Sequence, residues 1–145
     1  MAEQGYAYSS SINPINHDHY GWPDAPRFAF HPLAGSDFVE IPVTTAMLGS
    51  RRIGAGGGGF FRLLPYAYSR WAVRQVNAEA RPGIIYFHPW EIDPGQPRVA
   101  NAPLKSKLRH YTKLDAMAGK LKRLIGDFKW DRLDRIVEQE KAKLA

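Results

Sequence analysis

The run Gly83-Ile84-Ile85-Tyr86-Phe87 constrains this chain more than any other stretch. It is short, apolar, and made of β-branched and aromatic residues between Pro82 and His88-Pro89, the pattern of a strand buried on both faces. A helical pattern comes just before it. Leu64-Pro65 opens that pattern, Tyr68, Trp71, Ala72 and Val76 share one face, and Arg81-Pro82-Gly83 stops it. A helix leading into a buried strand predicts a parallel sheet and the α/β class. At 145 residues and 44% hydrophobic content, the chain has enough apolar material for one core. The expectation is a single domain over residues 1–145, with a core at 1–100 and a helical basic tail at 101–145.

Around that centre the elements are less regular. Ala2-Glu3-Gln4-Gly5 reads as the end of a helix closed by glycine, and Tyr6–Ser10 as a short strand. Residues 11–32 carry Pro, Asn, His and aromatics without any period, as a long ordered loop does. Phe38–Val43 alternates weakly as a strand, and Met47–Arg52 reads as another. In the tail, Leu114, Met117, Ala118, Leu121, Leu124, Ile125 and Phe128 form an apolar stripe with Thr112 as N-cap. After Asp131, Leu133, Ile136, Val137 and Leu144 form a second. These predict two C-terminal helices.

The formal net charge of +6 is unevenly spread. Residues 1–100 hold eight Arg and eight acids, whereas 101–145 hold twelve Lys/Arg against six acids, so the excess lies in the tail. There the signs alternate around apolar helix positions, which describes a solvated helix face and no nucleic-acid partner. The absence of Cys excludes disulfides, thiolate metal sites and Cys nucleophiles. No stretch approaches the roughly 20 apolar residues of a membrane span, and nothing in the sequence reports the compartment.

Three motifs bear on chemistry. Gly54, Gly56 and Gly59 satisfy the spacing G-x-G-x-x-G, but a dinucleotide site needs a strand before the glycines and a helix directly after them. With Phe60-Phe61 following and a helix expected only from Leu64, a close backbone approach is the better reading. His17 and His19 form an H-x-H that would need a further ligand, such as Asp18 or His31, to hold zinc. His88 follows the buried strand, where open α/β sheets and barrels present catalytic groups, and an imidazole there can donate a proton. Trp90 offers a flat face for a sugar ring, and Glu91 can orient His88 or bind a hydroxyl.

Several blocks together resemble the C-terminal part of NodB-type polysaccharide deacetylases, in the subgroup associated with bacterial exopolysaccharide clusters. They are Tyr8-Ser9-Ser10-Ser11-Ile12 with Pro14, His17-Asp18 through Tyr20-Gly21, and Pro23 to Arg27. Further on come Gly57 to Pro65, Tyr86 to Pro94, Leu104-Lys105-Ser106 and His110-Tyr111. The resemblance implies a partial distorted (β/α) barrel and an enzyme that removes acetyl groups from N-acetylhexosamine polymers. In that family a zinc-type metal sits on an Asp and two His, a second Asp is the base, and a late His is the acid toward the leaving amine. Only the last role has a counterpart here: His88 stands in the closing Leu-x-His motif, with Tyr86 in place of Leu. Tyr86, Trp90, Glu91, His17, Asp18 and Tyr20 are the expected substrate contacts.

The family's metal and base motifs would fall before Met1. The expectation is therefore no cofactor in this chain, no activity of the chain in isolation, and pairing with an upstream polypeptide or another copy through exposed strand edges. An N-acetylated polysaccharide is the expected partner, and a non-catalytic carbohydrate-binding or assembly module is the alternative function.

Overall fold

A computed structural model of the protein describes residues 1–17 and 20–144. The architecture is mixed α/β, with small sheets and no closed barrel among the described residues. Strand β1 (Tyr8–Ser9) pairs in parallel with β2 (Val39–Glu40), while β3 (Thr45–Leu48) and β4 (Arg51–Gly54) form an antiparallel hairpin. The segment expected as one strand at Met47–Arg52 thus straddles a two-residue turn at Gly49-Ser50, with Gly49 at φ 59°. Glycine in a tight turn outweighs the apolar run around it.

Beyond the short sheets, extended segments continue the ladder one bond at a time. Ile41 N–H donates to Ser9 O and Val43 N–H to Ile12 O; Thr44 N–H donates to Ile84 O and Tyr86 N–H to Gly56 O. Gly56 lies where three backbones meet, and a Cβ there would collide with Ile84 O and stand 2.8 Å from Thr44 N. The glycine run is thus needed for close approach. Segment 83–87 does lie in this parallel arrangement, through a bridge between Gly57 and Tyr86. It is only half-buried, however, and Tyr86 is exposed. The expectation of burial on both faces fails because Ile85 and Phe87 pack against one apolar cluster and Ile84 against another, whereas Tyr86 is left exposed.

Helix α1 (Gly58–Leu63) begins inside the glycine run, and α2 (Tyr66–Ala78) follows with Pro65 at its N-cap. A strand does precede the glycines and a helix does follow at once, contrary to the sequence reading. Tyr66, Ser69, Ala72, Val73 and Val76 form the buried face of α2. Trp71, expected on that face, is 38% exposed.

The tail contains α3 (Leu104–Tyr111), α4 (Leu114–Asp127) and α5 (Leu133–Leu144). Helix α3 was not foreseen, and Thr112 is its C-cap rather than the N-cap of α4; Lys113, at φ 57°, starts α4 with no side-chain cap. Met117 and Leu124 of α4 join Phe61, Tyr66 and Val73 in one cluster, backed by Ile85 and Phe87. Ile125, assigned to the same stripe, is 58% exposed. Val137 of α5 seals a second cluster with Val39, Ile41 and Ala29.

Tail and core therefore share their apolar burial. Truncating Met117 to Ala is expected to cost roughly 2–5 kcal/mol and to leave one unfolding transition in urea, followed by circular dichroism and tryptophan fluorescence. Two separate transitions would show that 101–145 folds independently.

Candidate functional site

The extended segment 83–87 runs into His88, and Pro89 starts a 3-10 turn over Pro89–Ile92. Glu91 folds back from this turn so that its Oε2 accepts the His88 backbone N–H at 3.0 Å. The carboxylate thereby fixes the main chain at His88 and does not touch the ring. Glu91 is 2% exposed and faces Gly58, where any Cβ would collide with its carboxylate. Its charge partner is Arg62, also 2% exposed, with Nε 3.7 Å from Glu91 Oε1.

Arg62 makes its hydrogen bonds elsewhere. Nη1 donates to His110 O and Thr112 O, both at 2.7 Å, and Nη2 to Arg109 O at 2.8 Å. These carbonyls end α3 and lack intrahelical donors, and a cation there also meets the negative end of the helix dipole. Burial pushes the guanidinium below its usual value, and Glu91 opposes that shift. The end of α1 is served in the same way: Lys120 Nζ donates to Arg62 O and Leu64 O at 2.7 Å, and Lys113 Nζ to Leu63 O at 2.8 Å.

Five rings line up along the resulting surface. Tyr86 meets His88 edge-on at 5.9 Å, His88 lies nearly parallel to Trp90 at 5.8 Å, Trp90 stacks on His110 at 4.0 Å, and His110 meets Tyr111 at 4.6 Å. The Gln96 amide fixes this row, because its nitrogen donates to Trp90 O at 2.7 Å and Asp93 O at 3.1 Å. Its oxygen must then face His110 Nε2 at 2.8 Å, so that nitrogen carries the proton.

Across from the row, His17 stacks on Tyr20 at 3.9 Å, and Arg109 lies 3.0 Å from His17 Nε2. Together these groups line a cleft of about 720 Å³.

Residues 10–138 match the family described as "Domain of unknown function (DUF3473)". The chain belongs to the DUF3473 family. No curated protein and no solved structure matches it.

In this DUF3473 chain the cleft gathers His17, Tyr20, Tyr86, His88, Trp90 and Glu91 from the residues singled out in the sequence. Asp18 and His19 lie outside the described residues. His31 does not join the cleft; its Nδ1 lies 3.1 Å from Phe38 O. Trp90 gives one face to His110 and Tyr20 gives one to His17, so the exposed ring of Tyr86 is the freer platform. Burial raises the Tyr86 hydroxyl above its ordinary value, with Tyr20 and Glu91 adding to the shift, which keeps it a neutral donor at physiological pH. Arg62 and His110 were missed as organisers of the site. Their only sequence signal was membership of the blocks Gly57–Pro65 and His110-Tyr111.

Among the described residues, no three His, Cys, Asp or Glu side chains come together as a metal would require.

Replacing Arg62 by Met leaves Glu91 buried without its cation and the end of α3 without donors. A loss of roughly 3–5 kcal/mol is expected by denaturant titration. Glu91→Gln keeps an acceptor for the His88 N–H and should cost less than half as much.

Proposed function

We propose that this chain forms the saccharide-binding and proton-donating side of a polysaccharide N-deacetylase acting on an N-acetylated exopolysaccharide. The observation that carries this reading is His88, exposed in a ring-lined cleft at the end of segment 83–87. The resemblance of the surrounding blocks to NodB-type deacetylases supports it. So does the parallel run of extended segments, which on this reading is an arc of a distorted barrel.

In this role the protonated His88 ring donates to the amine nitrogen as the C–N bond of the acetamide breaks, so that a neutral amine leaves. Tyr86 holds the sugar ring by stacking, and Glu91 acts by fixing the backbone under His88. The groups that activate water come from outside the described residues. Completion by an upstream polypeptide or another copy is therefore part of the proposal. The exposed apolar side chains of Leu104 and Leu108 on α3 offer a surface for it.

A second reading has its own support. A cleft lined by so many rings also suits a non-catalytic carbohydrate-binding module.

Titration with chitotetraose by NMR is expected to shift the cleft residues, with Tyr86→Ala weakening binding by about fivefold; no binding at all removes both readings. The purified chain should release no acetate, and acetate release by it alone refutes the division of labour. In material recovered from its own cells, His88→Ala should abolish release while binding stays within about threefold of the parent. Binding without release in that material leaves the binding module in its place.

A further inference from the structure

A second concavity of about 560 Å³ lies between α2 and α4, lined by Tyr66, Ala67, Arg70, Trp71, Arg74 and Arg123. Tyr66, Arg70 and Arg74 recur every four residues and so rise along one face of α2. Ala67 and Trp71 form the adjacent row, and Arg123 faces them from α4. Two features set the place apart. The first is Trp71, a large ring left 38% exposed on a helix whose other face is fully buried. The second is a surplus of positive charge.

That surplus can be traced residue by residue. Arg70 Nε pairs with Asp127 at 2.9 Å, and Asp127 also accepts the Tyr66 hydroxyl at 2.8 Å. Arg123 lies over the Tyr66 ring at 4.3 Å. Among the described residues Arg123 makes no direct ion pair, but with the Tyr66 hydroxyl and Arg70 it helps hold the Asp127 carboxyl below its usual range, so Arg70 and Arg123 share that one carboxylate. Several other arginines are tied down: Arg62 and Arg52 by main-chain carbonyls, Arg27 by Glu79 and Thr45 O. Three guanidinium groups thus meet one carboxylate, on two opposed walls, around an exposed indole.

We infer that this concavity is a binding site for a carboxylate-bearing sugar unit of an acidic polysaccharide. Guanidinium forks match the two oxygens of a planar carboxylate. The Trp71 ring supplies the flat apolar face that the C–H surface of a sugar ring covers, and Ala67 leaves room between the walls. The volume suits one or two sugar rings. A nucleic acid would need a longer basic track, and here the basic groups are confined to about two turns of α2 and a single position on α4. The site shares no residue with the His88 cleft, so the inference stands or falls independently of the proposed function.

The test is calorimetric titration of the full chain with trigalacturonate, chitotetraose and a short DNA duplex. Trigalacturonate should bind, with affinity falling as salt rises. The double variant Arg74→Ala/Arg123→Ala should weaken that binding by at least about tenfold and leave chitotetraose binding unchanged. Trp71→Ala should weaken trigalacturonate about fivefold with the circular dichroism spectrum preserved; Trp71→Tyr should restore most of the loss.

Trigalacturonate binding that is absent, or indifferent to Arg74 and Arg123, overturns the inference. DNA bound with the same dependence on both arginines replaces the glycan with a nucleic acid. Indifference to Trp71 removes the sugar ring and leaves bare charge attraction.

Discussion

The buried guanidinium of Arg62 is the point on which the cleft depends. One side chain closes the last carbonyls of α3, neutralises Glu91 beneath the His88 turn, and extends from a helix whose own end is closed by Lys120. Two buried opposite charges are costly unless each is fully satisfied. The Nη atoms of Arg62 are satisfied by main chain while its buried Nε has no hydrogen-bond partner, so the 3.7 Å contact with Glu91 counts for less than the three short bonds to α3. Removing the cation would loosen both walls at once, because α3 carries His110, Arg109 and Lys107 and the turn carries His88 and Trp90.

The same economy appears at Glu140. It falls among the apolar positions of α5 that face the sheet, is 1% exposed, and is held by Arg81 at 2.9 Å and Lys143 at 2.6 Å. At both places a buried acid joins a helix to a distant part of the chain. Packing then follows: Met117 and Val137 close apolar clusters that the core residues alone would leave open.

Much of this was legible in the sequence where local pattern and tertiary role agree. The helix from Pro65, the parallel segment ending at His88 and the two stripes of the tail all follow from periodicity and punctuation. What was not legible required knowing which backbone groups lack partners. Nothing local marks Arg62 as a cap for a helix that starts more than forty residues later. Trp71 was read as buried because apolar spacing cannot tell an indole facing solvent from one facing the core. Helix α3 was missed although Leu104, Leu108 and Tyr111 recur at helical spacing, because it is short and follows a Pro-rich loop.

The scarcity of regular strand has a consequence for how the basic residues are used. A chain whose central segments join by single bonds leaves many carbonyls unclaimed by any ladder. Arg52 answers three of them in the 14–25 loop, and Lys107, Lys113, Lys120 and Lys143 answer others. Much of the high isoelectric point therefore measures internal scaffolding rather than appetite for anions. At such positions an arginine and a lysine are different structural parts, since one reaches several oxygens in a plane and the other gathers them around a point.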